Sequence, residues 1–166
     1  IARSIVRKHR LLETFLYNTL GIDIDDLHEQ ACAMKHSLSD EAERKLCQLL
    51  EYPNQCPDDH NIIPVCDLNI SSCYECSKIQ KIDDIPKRIE NLISVANMNP
   101  KQTGKIKFIR GDNETIKKLL DMGITLETEI TLLKVSPLNG PVKVLVEDQE
   151  VLIEKDLSYD LFVIVN

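Results

Sequence analysis

The sequence predicts an α+β protein: a helical domain over residues 1–51, a Cys-rich connector over 52–85, and a small SH3-like β-barrel within 86–166. Three observations predict it. Apolar residues recur at helical spacing as far as about Glu51; Pro, Asn, Asp and Ser then crowd a stretch with no sustained period; short runs rich in Val, Ile and Thr fill the end.

Ile5, Leu12, Phe15, Leu16, Thr19 and Leu20 form one stripe, so a first helix is expected to run from the start of the chain to near Leu20, with Gly21 as a left-handed cap. Asp23 can cap a second helix through Leu27, Ala31 and Met34. Ser39, followed by Asp40 and Glu41, can cap a third. Cys47, in "RKLCQLLE", suits a small core position, and Leu46, Leu49 and Leu50 offer an apolar face for a two-fold interface. The connector needs a local staple, which cysteines can supply. Residues 86–98 read as a turn of helix leading into an extended segment. The strands are "GKIKFI", "ETEITLLKV", "PVKVLVE", "QEVLIEKD" and "LFVIV", with "NETIKKLLDMGI" as an intervening helix capped by Asn113 and "SPLNGPV" as a hairpin turn.

The 166 residues carry a formal net charge of -7, which argues against this chain being itself a nucleic-acid-binding surface. No apolar run approaches the ~20 residues of a membrane span, and no basic segment leads into an apolar stretch, so a cytoplasmic location without a membrane partner is expected. Because the chain opens Ile1-Ala2-Arg3 already in helical register, it is expected to be the remainder of a longer protein.

Chemistry concentrates in two places. In "HEQACAMKH", His28, Cys32 and His36 stand four residues apart and would form one column on a helix. His9 and Glu13 are also four apart, on the preceding helix. Two antiparallel helices joined by a short loop can bring such faces together, and imidazoles with a carboxylate suit Fe, Mn, Ni or Zn. Each histidine is a weak signal alone, but three of the chain's four fall on these helices. The second place is "CPDDHNIIPVCDLNISSCYECSK", which holds four of the six cysteines. Cys73 and Cys76 have the two-residue gap that lets both thiolates grip one ion; Cys56 and Cys66 would complete a zinc site or hold an iron-sulfur cluster, with His60 able to replace one of them.

The run "RKHRLLETFL…GIDIDDLHEQACAMKHSLSDEAERKL" resembles the metal-binding and dimerisation domain of the iron-dependent, diphtheria toxin repressor family, whose members include manganese sensors. "GKIKFIRGDNETIKKLLDMGITLETEITLLKV" resembles the FeoA-like SH3 domain that follows it in many members. The resemblance implies a homodimer that meets DNA only through an N-terminal winged-helix domain outside these residues, and Fe2+ or Mn2+ as the metal, with Zn2+, Ni2+ or Co2+ as surrogates. It places His9, Glu13 and His28 at ligands of the ancillary metal site, with Asp112 near a position from which the SH3-like domain completes that site in some members. Cys32 and His36 match ligands of the activating site. Lys35 departs from the pattern, standing where the family has a ligating Glu; an ammonium has no lone pair and repels a nearby cation. Either the ancillary site senses alone, which is the favoured reading, or Lys35 replaces the second metal as a built-in charge. The function expected is therefore a metal-dependent transcriptional regulator. The alternative is a cytosolic metal or iron-sulfur adaptor whose SH3-like domain binds a protein. No phosphate cradle, oxyanion-hole loop or HExxH motif suggests an enzyme.

Overall fold

A computed structural model describes residues 2–166; Ile1, on which the expected first helix begins, lies outside the described residues. The chain forms two compact units, one ending at Asp67 and one spanning Leu68–Asn166.

In the first unit, α1 (Ala2–Asn18), α2 (Ile24–Met34) and α3 (Asp40–Leu49) are the three expected helices. α1 stops before Leu20, which is 55% exposed, and Gly21 takes the left-handed φ of 69° that turns the chain so that Ile22 N donates to Leu16 O. Ser39 caps α3 through a hydrogen bond from Ala42 N at 3.1 Å. Asp23 precedes α2 in extended conformation without a side-chain cap bond. Leu12, Leu16, Leu27 and Ala31 pack together where α1 meets α2. Leu11, Cys47 and Ile63 form a second small cluster, which makes Cys47 a core residue as expected. Leu46 and Leu50 pack against these clusters within the chain itself, whereas Leu49 is exposed.

Between the clusters lies charge. Arg7 Nε of α1 pairs with Glu43 Oε1 of α3 at 3.0 Å, both side chains at least nine-tenths buried. Arg7 Nη1 also donates to Pro64 O at 2.8 Å, and Arg10 Nη1 to Ile62 O at 2.5 Å. α1 thus stitches the segment after α3 onto itself. That segment is less irregular than its composition suggests: Gln55 bridges Ile62, and Cys56 N donates to Asn61 O at 3.1 Å.

The second unit opens with Leu68 bridged to Lys87, then a short helix, α4 (Cys73–Lys78), capped by Ser72 Oγ. Its six strands are β1 (Ile93–Ser94), β2 (Thr103–Ile109), β3 (Glu129–Val135), β4 (Val142–Val146), β5 (Gln149–Ile153) and β6 (Leu161–Val165). They form one antiparallel sheet in the order β1-β6-β2-β3-β4-β5. The sheet is SH3-like in its order of hairpins but is open: β1 and β5 are its two edges. The five expected strands are β2 to β6. Residues 86–98 reverse the expected order, with β1 coming first and a 3-10 turn, Val95–Asn97, after it, because Ser94 caps that turn at Ala96 N. α5 (Asn113–Asp121) is capped by Asp112, not Asn113: Asp112 Oδ1 accepts from Thr115 N at 3.0 Å. A further helix, α6 (Lys155–Asp160), takes the last two residues of the expected strand "QEVLIEKD" and the stretch that follows it. In "SPLNGPV", Leu138 and Asn139 both have positive φ and Gly140 N donates to Pro137 O, which is a type I′ hairpin turn. The main apolar core of this unit includes Ile106, Leu119, Ile130, Leu132, Val144 and Leu161, while Phe108 and Phe162 meet edge to face outside it.

Candidate metal centre

α1 and α2 are antiparallel neighbours joined by a short turn, so residues four apart on each helix come to face one another. Glu13, the α1 ligand nearest that turn, is almost fully buried. Its Oε1 lies 2.6 Å from His9 Nε2 and 3.5 Å from His28 Nδ1. The two imidazoles meet edge to face, centroids 4.8 Å apart. Their other nitrogens face Cys32: Sγ is 3.8 Å from His9 Nδ1 and 3.6 Å from His28 Nε2. The two rings therefore stand between a carboxylate and a thiol, and each ring offers one nitrogen to each side. His28 keeps the site open to solvent, its side chain 74% exposed.

The thiol side is poor for a cation. Lys35 Nζ sits 3.8 Å from Cys32 Sγ, placing a positive charge where a second metal would need a donor. α2 ends at Met34, and His36 falls on the 3-10 turn of Lys35 to Ser37, exposed and outside the ligand groups that the described residues form. Among the described residues, the groups of three or more ligand atoms close enough to share an ion are His9, His28 and Cys32, and Glu13, Cys56 and Asp58.

The second group includes donors that the metal column did not contain. Cys56 and Asp58 come from the start of the Cys-rich segment, which α1 holds in place through Arg7 and Arg10. Here Asp59 organises the loop: its carboxylate accepts from Cys56 Sγ, Asn61 N and Asn61 Nδ2. Asp58, by contrast, reaches the Glu13 carboxyl. A cleft of about 260 Å³ opens between His9, Glu13, His28, Lys35, Asp58 and Asp59. Burial, then the charge and hydrogen bond of Asp58, push the Glu13 carboxyl up to about 7. Burial, followed by His28 and Lys35, holds His9 below its ordinary value. Without a cation both groups favour their neutral forms, and a bound cation supplies the missing charge. Burial, with hydrogen bonds to Asp59 and Asp58, pushes the Cys56 thiol up to about 12, so it remains a thiol.

The other residues expected at a site lie apart from this cleft or in the second unit. His60 is exposed, at a left-handed φ of 58°, where its carbonyl accepts from Gln55 Nε2. Cys66 is half-buried; Cys73 and Cys76 are both buried on α4, and no disulfide joins any of the six cysteines. Asp112 belongs to the second unit, where Oδ1 is engaged in capping α5. Asp58 is the donor that sequence reasoning missed: its only signal was an acidic pair beside Cys56.

Two imidazoles and a buried carboxylate on paired helices, followed by an SH3-like sheet, define a metal-binding protein of two domains. Residues 1–64 match the family model of the iron dependent repressor metal binding and dimerisation domain, and residues 93–165 match the FeoA domain. The chain thus carries an iron dependent repressor metal-binding and dimerisation domain followed by a FeoA domain. It is 27% identical over 133 residues to the diphtheria toxin repressor of Corynebacterium efficiens, a match covering 80% of this chain and 55% of that protein. To the iron-dependent repressor IdeR of Mycobacterium leprae it is 22% identical over 161 residues, covering 96% of this chain and 66% of the relative. The chain thus spans about half the length of the first of these relatives. Among solved structures, a manganese-dependent transcriptional repressor in complex with manganese aligns with 23% identity and a TM-score of 0.46, covering 99% of this chain and 71% of that one. No helix among the described residues is long and apolar enough to cross a membrane.

Proposed function

We propose that this chain is the metal-sensing and dimerising part of an iron- or manganese-dependent transcriptional repressor, acting as a cytoplasmic homodimer. The observation that carries this reading is the convergence of His9 Nε2, His28 Nδ1 and Glu13 Oε1 on one point between α1 and α2. Nitrogen and carboxylate donors suit Fe2+ and Mn2+, and Zn2+, Co2+ or Ni2+ would enter the same set. When bound, the ion supplies positive charge that draws both imidazoles and the carboxylate toward a common centre. His9 and Glu13 belong to α1 and His28 to α2, so the ion favours whichever arrangement of these helices best presents all three. That differential affinity is what lets metal bias a DNA-binding domain attached to the same chain.

Cys32 and His36 contribute no further donor to this centre, which senses alone; the ammonium of Lys35, 3.8 Å from Cys32 Sγ, disfavours a second cation beside the thiol. Of the cysteines expected to form a separate zinc or iron-sulfur centre, Cys73 and Cys76, separated by two residues on α4, remain its candidate pair within the second unit. Anaerobic titration of the chain with Mn2+ and Fe2+, with sedimentation to read its oligomeric state, tests the reading. Wild type is expected to bind one ion of this type per chain and to sediment as a dimer, and His9→Ala to lose tight binding. Wild-type affinity in His9→Ala would sink it.

A further inference from the structure

The carboxylate side of the centre is built from two parts of the chain. α1 supplies Glu13, and the loop after α3 supplies Asp58, whose carboxylate oxygen lies within 4.8 Å of both Glu13 and Cys56 Sγ. Atoms bound to one divalent cation at about 2.0–2.2 Å lie roughly 3–4.4 Å from each other, so this separation closes with side-chain rotation alone. The loop is not a loose acidic tip. Arg10 holds Ile62 O, Arg7 holds Pro64 O, and Gln55 bridges Ile62.

Its neighbouring carboxylate is already spent. Asp59 accepts from Cys56 and twice from Asn61, which fixes the turn and leaves Asp58 facing the cleft that holds His9, Glu13 and His28. Asp58 Oδ1 accepts from Asp59 N at 2.8 Å, an orientation that a bound ion would leave intact through Oδ2. A buried carboxylate, Glu13, with a second carboxylate and two imidazoles in the same solvent-open cleft, forms a donor set suited to a cation.

We infer that Asp58 is a fourth protein ligand to the ion held by His9, Glu13 and His28, so that the first unit completes this coordination shell from its own Cys-rich segment. The inference rests on the metal-binding reading above. It assigns the segment after α3 a direct part in metal selectivity: a second hard oxygen donor moves preference toward Mn2+ and Fe2+ and away from thiophilic ions. Cys56 serves the loop as a thiol donating to Asp59 and does not ligate the ion.

Co2+ is the probe, read by its visible absorption and by competition with a chelator, on the intact chain as wild type, Asp58→Asn, His9→Ala and Cys56→Ser. Circular dichroism verifies that each variant is folded. Asp58→Asn keeps an oxygen for Asp59 N and should lower affinity at least about tenfold, the lower end of what even outer-shell partners cost, with an altered visible band. His9→Ala should abolish tight binding, and Cys56→Ser should leave the spectrum unchanged. If Asp58→Asn matches wild type in affinity and spectrum while His9→Ala loses the ion, the fourth-ligand assignment falls and the centre stands. If His9→Ala binds like wild type, the centre itself falls. A thiolate-to-cobalt band that disappears in Cys56→Ser would overturn the assignment by making the sulfur the donor.

Discussion

The two units solve the problem of a stable interior differently. The second gathers most of its buried apolar residues into one core, from Val95 to Val163, and its buried charge is Arg110, which lies over the Phe162 ring. The first divides its apolar residues into two small clusters and buries Arg7, Glu13, Glu43 and Arg44 between and around them. Buried charge adds little net stability but is costly to leave unpaired. What the first unit gains is position: Arg7 and Arg10 fix the loop that carries Asp58, and α1 and α2 fix the imidazoles. The sheet gives rigidity by packing, the helices give geometry by pairing.

The contrast breaks most readily at Arg7. Arg7→Ala would leave Glu43 buried without its partner and release Pro64 O, and is expected to destabilise the first unit by about 3–5 kcal/mol in denaturant titration. A loss under about 1 kcal/mol would show that the pair is dispensable and that apolar packing governs both units alike. Leu132→Ala, in the fully buried centre of the sheet, should cost about 2–5 kcal/mol while leaving Co2+ affinity untouched. Altered affinity in that variant would mean that metal binding depends on the second unit's core.

Next comes pH. The Glu13 carboxyl titrates at about 7 in the folded chain against an ordinary 4.5, so its contribution to stability is whole below 4.5 and is lost as pH rises through 7. His9, held below its ordinary 6.5, works in the opposite sense, its contribution present above 6.5 and lost on acidification. The difference between wild type and Glu13→Gln isolates the first effect. Metal-free wild type should lose stability relative to Glu13→Gln between pH 4.5 and 8 in urea melts, and saturating Mn2+ should reverse that trend. Parallel curves would place the Glu13 titration elsewhere. The smallest effect is expected at the α3 cap, where Ser39→Ala removes the bond to Ala42 N for about 1 kcal/mol, read as a shift in the urea midpoint.

The legible parts of the chain were those in which local pattern and tertiary role agree. Runs such as Lys105 to Ile109 and Val142 to Val146 alternate as half-buried strands do, and the observed strands follow them. Glu13 was legible as a partner of His9 because helical spacing fixes the neighbour. The column through His36 assumed an unbroken helix, whereas a 3-10 turn that nothing local marks places His36 beyond the end of α2. The turn at Glu147 and Asp148, both at positive φ, lacks the glycine that would announce it, and α6 buries only Leu157 and Ser158 across its six residues. Asp58 was out of reach of any periodic argument, since its approach to Glu13 depends on carbonyls of Ile62 and Pro64 held by arginines on α1.

The two imidazoles between Glu13 and Cys32 set a limit on stoichiometry. Each ring nitrogen facing the carboxylate has its counterpart facing the thiol, so an ion on the carboxylate side leaves the thiol side with rings already committed and an ammonium alongside. On the proposed assignment, a helical unit built this way would fill with one ion, and its own isotherm would have a Hill coefficient of about 1. Any steeper response to rising metal concentration has to be generated between chains, in the way that two copies communicate.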